Sequence, residues 1–259
     1  MNWLYNFPNA VILLFFFFTS FIAMKVVHTI IHHHIKEHVP AEGHKLATNV
    51  HELVVMLISL VLAFSLGLAL ENTRTLAKAV SDEASQINNL DRLLLQFGDS
   101  AAEEVRPYLH AYTKSIVEDE WPDLLKGGLS EVTGKKFQSF SRAVIKLTPH
   151  GERETALYSS AIQLTDQIAQ SRELRRETTE VKLPAVYWYV ILVGILAELM
   201  ISALLERGKY CSSLMSLQMI ALSGMLALVF IFDQPYHGES GVQPDPLVRL
   251  IKLMGERHP

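Results

Sequence analysis

The sequence predicts an all-α membrane protein: four transmembrane helices, with an α-helical soluble domain inserted between the second and third spans. Three observations carry this expectation. Four apolar runs are each long enough to cross a hydrocarbon core of ~30 Å at ~1.5 Å per residue. The about 110 residues between the second and third runs are polar, with apolar residues recurring at intervals of three and four. No stretch alternates with the period of two that marks a strand. The composition agrees: 49% of the 259 residues are hydrophobic and 19% charged, against ~25% charged in an average soluble domain. A net charge of -4 argues against nucleic acid as a partner. The single cysteine, Cys211, allows neither an intrachain disulfide nor a cysteine-based zinc site.

The first span opens at Asn9 and runs from Ala10 to about Met24, with Phe15 to Phe18 at its centre. Lys25 interrupts it, but VVHTII follows, so the helix is expected to reach about Ile35 with Lys25 snorkelling or facing protein. Trp3 and Tyr5 stand where interfacial aromatics belong. The leading MNWLYNFPN has no Lys or Arg, so the run reads as a retained span rather than a cleaved signal. A first hairpin, residues 1–70, is completed by a histidine-rich loop at 28–51 and a second span.

That loop holds seven of the eleven histidines: His28, His32, His33, His34, His38, His44 and His51. His28 with His32, and His34 with His38, are four residues apart, a spacing that lets two imidazoles on one helix face chelate a divalent metal. His34 to His38 also spells H-x-x-E-H, but a zinc protease needs a third ligand and an enclosed cleft. A metal- or pH-responsive loop and a plain solvated loop are the two readings. No other cofactor is expected.

The second span runs from about Val50 to Leu70. Its core, LVVMLISLVLAFSLGLAL over residues 53–70, has no charge and no proline. Leu57, Leu60, Phe64 and Leu68 share one face, and Ser59, Ala63 and Gly67 are placed on the opposite side. Repeated around an oligomer, Leu60 and Phe64 would form an apolar constriction that gates by dewetting. Against this stands a face turned to lipid or to a neighbouring helix.

Residues 71–182 form the insert. Ile87, Leu90, Leu94 and Phe97 mark an amphipathic helix over about 72–97 that continues the second span. Gly98 ends it. Pro107 is placed in the first turn of the next helix, with Val105, Leu109, Tyr112 and Ile116 as its buried stripe. Glu120-Trp121-Pro122 is expected to break that helix, and Gly127-Gly128 to form a loop. Phe137, Phe140, Val144 and Leu147 give a third stripe. Leu157, Ala161, Leu164 and Ile168 give a fourth, before the charged run from Arg172 to Glu180. Glu118, Asp119, Glu120 and Asp123 read as a solvated acidic cluster or a cation site. No phosphate-binding, dinucleotide-binding or nucleophile-elbow motif is present, so an enzyme is not expected.

A second transmembrane hairpin spans 183–232. Pro184 starts the third span, to Leu205, with Tyr187, Trp188 and Tyr189 as an aromatic belt. Residues 206–209 turn, and the fourth span runs from about Cys211 to Phe232. Glu198 is the one carboxylate inside a span. Counted from the turn, Gln218 falls at a similar depth on the next helix, ~12 Å along each. A neutral Glu198 bonded to Gln218 would fix packing; an ion or proton site is the alternative. In the tail, 233–259, Asp245 is read as an N-cap before Pro246, leading a short helix with Leu247, Leu250, Ile251 and Met254 on one face. The Lys and Arg residues flanking the spans favour the side holding the N-terminus, insert and tail, so that side is expected to be cytoplasmic, in a plasma (inner) membrane.

At these residues the chain resembles the bestrophin-like domain family of bacterial membrane proteins. The stretches VSDEASQINNLDRLL, RPYLHAYTKSIVEDEWPDLLKGG and FDQPYHGESGVQPDPL carry the likeness. Within and around them, Asn49, Glu71, Glu83, Tyr112, Glu120, Trp121, Pro122, Asp233 and Pro235 match the pattern. The chain departs from it at Gln234, where a basic residue is usual. The histidine loop lies outside the pattern. The resemblance implies likeness to bestrophins, pentameric anion channels of identical subunits with four spans, a cytosolic helical domain and an apolar narrowing on the second span. Its expected partners are further copies of itself, membrane lipid and small inorganic ions. A non-conducting membrane scaffold or sensor, with a metal- or pH-responsive histidine loop and a partner-binding soluble domain, is the other reading.

Overall fold

The computed structural model describes residues 2–34, 41–97, 100–178, 182–205 and 208–257. Among them all regular structure is helical. After a 3-10 turn at Asn2–Asn6 come α1 (Asn9–His34), α2 (Ala41–Phe97), α3 (Ser100–Ser115), a π-helical turn (Ile116–Glu120) and α4 (Trp121–Leu124). There follow α5 (Glu131–Ile145), α6 (Glu152–Glu177), α7 (Ala185–Leu205), α8 (Gly208–Phe232) and α9 (Asp245–Glu256). Four of these helices are long and apolar enough to cross a membrane: α1 over Asn9–Ile31, α2 within Lys45–Phe97, α7, and α8 over Ser212–Phe232. The chain divides into two compact units, Met1–Glu71 with Lys182–Gly241, and Asn72–Val181 with Val242–Pro259. The helix α2 contributes to both.

The first unit is built from α1, α7, α8 and α2 as far as Glu71. Met24, Ile58, Leu62, Ile191, Leu199, Met219, Leu222 and Val229 form its buried core. At one end Tyr5 stacks on Phe230, with ring centroids 4.5 Å apart, and its hydroxyl donates to the Phe230 carbonyl at 2.8 Å. Lipid tails are as apolar as these side chains, so burial alone gives little drive to helix association in a membrane. Close packing and hydrogen bonds must supply it. Gly194 is where α7 and α2 approach closely: a Cβ there would lie 2.7 Å from Ile58 Cγ1. Ile58 is β-branched and has little rotamer freedom to yield. Gly194→Val is therefore expected to lower stability by about 1–3 kcal/mol through overpacking. Ile58→Ala in the same chain should return part of the loss. Thermal unfolding of the purified protein in detergent checks both, and an unchanged midpoint in Gly194→Val would contradict the contact.

The second unit packs α3, α5, α6 and α9 with α2 beyond Asn72. Leu76, Ile87, Leu90 and Leu94 on α2 are fully buried, as are Leu109, Tyr112 and Ile116 on α3 and Phe140 and Val144 on α5. These positions recur at three and four because only such spacing keeps one helix face turned inward.

Three sequence expectations change here. Pro107 lies inside α3, not in its first turn, since the helix already begins at Ser100. The carbonyl that Pro107 cannot serve is that of Glu103, and both residues are on the exposed side. Glu120-Trp121-Pro122 does not break the helix. The chain passes from α3 into a π turn, in which the Trp121 N–H bonds the Ile116 carbonyl, and continues as α4 with Pro122 near its start. Asp245 is the first residue of α9 rather than its cap, and Pro244 holds the cap position. The inward face of α9 is Leu247, Leu250 and Met254, with Ile251 partly buried.

Candidate functional site

The face of α2 that carries Leu57, Leu60, Phe64 and Leu68 is left largely exposed by the described residues. These residues are 56%, 52%, 64% and 45% exposed. The face turned into the first unit is instead Ile58, Leu62, Ser65 and Ala69, all buried. Ala63 and Gly67 are exposed as well, so they flank the leucine and phenylalanine row rather than standing opposite it. The reason is angular: at 3.6 residues per turn, a step of three turns back only about 60°. Leu57 also lines an apolar groove of about 400 Å³ between α2 and α7, with Val61, Tyr189, Val193 and Ala197.

Behind that face lies a polar cluster in the first unit. Glu198 on α7 is fully buried. Its Oε1 accepts from Gln218 Nε2 of α8 at 3.0 Å and from Ser202 Oγ at 2.9 Å, one turn along its own helix. The sequence placed Glu198 and Gln218 at one depth, and the structure joins them. It adds a third member from α2. His51 sets Nε2 3.2 Å from Gln218 Oε1 and Nδ1 3.3 Å from Glu198 Oε2. Three helices thus meet in a closed ring of polar side chains. The sequence grouped His51 with the loop histidines, and its one distinguishing signal was its place at the apolar start of the second span.

Of the proposed pairs, the His38 position and the side chains of His32 and His34 fall outside the described residues; His28 is partly buried on α1. No group of three or more metal-ligating side chains occurs among the described residues.

The second unit gathers several of the family-pattern residues on one charge. Arg175 of α6 is fully buried. Its Nε donates to Glu83 Oε2 at 2.8 Å and its Nη2 to Glu120 Oε2 at 2.9 Å, and both carboxylates are fully buried. Tyr112 donates its hydroxyl to Glu83. The π turn ends at Glu120 and carries its carboxylate into this core. Burial pushes the Tyr112 hydroxyl well above its ordinary pKa, and the neighbouring Glu83 adds to the shift. Burial alone would lower the Arg175 pKa, but Glu83 and Glu120 outweigh it and hold the guanidinium charged. Nearby, Arg172 lies over the Phe137 ring at 5.2 Å and comes within 3.9 Å of Glu120. Trp121 is buried. The acidic cluster expected around Glu120 is paired off: Asp119 meets Lys136 at 3.3 Å and Glu118 meets Lys114 at 3.5 Å. The sequence did not single out Arg175, because a charged run at a helix end normally reads as solvated.

Other pattern residues have separate places. Asp233, just past α8, accepts the Leu183 backbone N–H at 2.8 Å and so ties together the two ends of the second hairpin. Burial raises its pKa, partly offset by that bond. Pro235 is buried, while Asn49, Glu71 and Pro122 are exposed.

Comparison with solved structures shows the same fold. A bacterial bestrophin homolog from Klebsiella pneumoniae, in two crystal structures, aligns over 96% of this chain. One, a point variant, has a TM-score of 0.69 at 14% identity with 98% of that chain covered. The other has 0.68 at 15% identity with 99% covered. A crystal structure described only as that of a membrane protein variant aligns at 0.66 with 12% identity, over 96% of this chain and 97% of the other. No curated protein matches the sequence. The profile of the bestrophin-like domain matches residues 15–247, which takes in most of the first span, the other three spans and the Glu83, Tyr112, Glu120 and Asp233 positions. With nearly its whole length matched, the chain belongs to the bestrophin-like domain family.

Proposed function

We propose that this chain is one subunit of a homo-oligomeric ion channel in a bacterial inner membrane, its second unit a soluble cytoplasmic domain inserted between the second and third spans. The observation that carries the reading is the row Leu57, Leu60, Phe64 and Leu68, an unbroken apolar face on a membrane-length helix that the described residues leave largely exposed. In a ring of subunits, five by the bestrophin plan, that face lines the pore. Leu60 and Phe64 then form an apolar constriction that conducts when wet and closes when dry. Anions are the proposed permeant ions, on family likeness alone, since α2 carries no Lys or Arg along that face. The domain assignment follows from charge: in the second unit the buried leucines and aromatics leave water, worth roughly 1.5–3 kcal/mol each, and most charged residues stay outside, the paired Glu83, Asp91, Arg106, Glu120 and Arg175 excepted.

Cysteine substitutions along residues 53–70, in a Cys211→Ser background, test the pore face. A membrane-impermeant thiol reagent applied to the reconstituted oligomer is expected to label positions 57, 60, 64 and 68, and to spare 58, 62, 65 and 69. Uniform protection of the whole stretch would overturn the pore. Current through bilayers containing verified oligomers tests conduction itself. Silence across pH and salt would favour the scaffold reading, in which the second unit binds a partner and the histidine segment senses metal or pH.

A further inference from the structure

The ring of His51, Gln218 and Glu198 has a proton count that its geometry fixes. Two hydrogen bonds, Gln218 to Glu198 and His51 to Gln218, and one close approach, His51 Nδ1 to Glu198 Oε2, make up the ring, and each is satisfied by one hydrogen between its two heavy atoms. The Gln218 amide supplies the hydrogen for its bond to Glu198 Oε1 and offers its oxygen to His51 Nε2, which must then carry a hydrogen. A neutral imidazole with hydrogen on Nε2 presents a bare lone pair at Nδ1. That lone pair faces Glu198 Oε2 at 3.3 Å. Nδ1 and Oε2 are both buried, and neither has a hydrogen-bond partner among the described residues, so one hydrogen between them would satisfy both. An ionised Glu198 would put two acceptors face to face inside a membrane-length helix bundle. One further hydrogen resolves this, either on Oε2 or on Nδ1. Turning the Gln218 amide over does not alter the count. Its nitrogen then donates to Nε2, the hydrogen of His51 moves to Nδ1, and Glu198 must carry one at Oε1 to meet the amide oxygen. In every arrangement the two residues together hold two protons and no net charge.

We propose that Glu198 and His51 form a proton-binding site whose shared proton locks α2 to α7 and α8, and whose loss loosens α2. The ligand is the proton itself: the Glu198 carboxyl with neutral His51, and the Glu198 carboxylate with a His51 imidazolium, are its two bound forms. Release leaves the carboxylate, a neutral imidazole and one unsatisfied contact between α2 and α7. Because α2 carries the proposed pore face, the site would bias that face with pH; this regulatory part rests on the channel reading. Among the described residues on the helices around the site, Glu71 on α2 and Tyr189 on α7 are exposed and Tyr187 is partly buried. Lys45 and Glu52 on α2 and Tyr210 on α8 are exposed; on α1, Lys25 is exposed with its Nζ 5.7 Å from the Phe21 ring, His33 is exposed, and His28 is partly buried.

The sign follows from the proton count. Above the unfolded histidine pKa of about 6.5, the unfolded chain holds one proton on these two residues and the native ring holds two. Stability then falls as pH rises, by about tenfold in the folding equilibrium per pH unit, until the native pair releases its proton. Glu198→Gln reproduces the protonated ring without a titrating proton, because its amide nitrogen donates to Nδ1 and its oxygen still accepts from Gln218 and Ser202. The full-length protein in detergent, unfolded thermally in a series of buffers from neutral to alkaline pH, is the test. The wild type should lose stability with rising pH and Glu198→Gln should not, while His28→Asn should behave as the wild type does. Parallel profiles for the wild type and Glu198→Gln, or a slope lost in His28→Asn instead, would overturn the site. Infrared difference spectra of the wild type, with isotope-labelled glutamate and histidine, give a second measurement should Glu198→Gln fail to fold: a neutral glutamic acid or an imidazolium must titrate in the same range, and its absence overturns the proposal. Currents recorded at the same pH values separate the two readings. A pH dependence lost in Glu198→Gln supports regulation through α2. Absence of current in both proteins, with the stability difference intact, removes the channel and the regulation but leaves the proton site standing.

Discussion

Arg175→Met is expected to destabilise the second unit by about 3–5 kcal/mol, enough to unfold a marginal protein. Two carboxylates share that guanidinium, and all three groups are fully buried. Removing the arginine leaves Glu83 and Glu120 charged and unpaired in a low dielectric, or forces them to bind protons. The methionine replaces packing volume, so the loss isolates charge from cavity formation. Arg172 offers little compensation at 3.9 Å from Glu120, since its own guanidinium already faces the Phe137 ring. Chemical denaturation of the full-length protein, followed through Trp121 in a Trp3→Phe, Trp188→Phe background, measures the effect in this unit. A companion variant sharpens it. Adding Glu83→Gln and Glu120→Gln to Arg175→Met removes the buried charges and should recover most of the loss. A triple variant no better than the single one would mean that the arginine acts by packing and not by charge.

Glu198→Leu is the second large effect expected. It orphans the Gln218 amide hydrogen and the Ser202 hydroxyl and removes the carboxylate 3.3 Å from His51 Nδ1. Each buried group left without a partner costs about 1–3 kcal/mol. Ser202 can turn back to a helix carbonyl, as Ser65 does to Val61 at 2.8 Å, so the Gln218 orphan dominates. Apolar contact between α2, α7 and α8 gains little against lipid, so the loss of these hydrogen bonds weighs heavily on their association. Size-exclusion chromatography and thermal unfolding in detergent should show loss of the assembled species for Glu198→Leu and its retention for Glu198→Gln. Equal behaviour of the two would contradict a polar lock.

Several features are legible in the amino-acid sequence alone. Apolar run lengths locate the four long helices, and the three-and-four spacing of Ile87, Leu90 and Leu94 marks the continuation of α2 past Glu71. The depth count from the turn pairs Glu198 with Gln218, because two antiparallel helices joined by a short turn have few ways to align. Local rules fail where a neighbour in space decides the outcome. Pro107 looks like a helix start and the Glu120-Trp121-Pro122 motif like a helix stop, yet buried faces on both sides of the motif, Leu109 and Tyr112 before, Leu124 after, keep the chain helical through a π turn. The charged end of α6 looks solvated, yet one of its arginines is among the most buried side chains in the protein.

By itself the sequence determined the helical class, the four membrane-length helices and the family, since hydropathy, periodicity and motif spacing are properties of neighbouring residues. Only the tertiary structure decided which polar residues meet. Arg175 lies 92 and 55 positions from Glu83 and Glu120, and His51 lies 167 from Gln218. No local pattern reports a contact over such separations. It is set by helix packing, which brings these groups into one low-dielectric place where each must find a partner or remain unsatisfied.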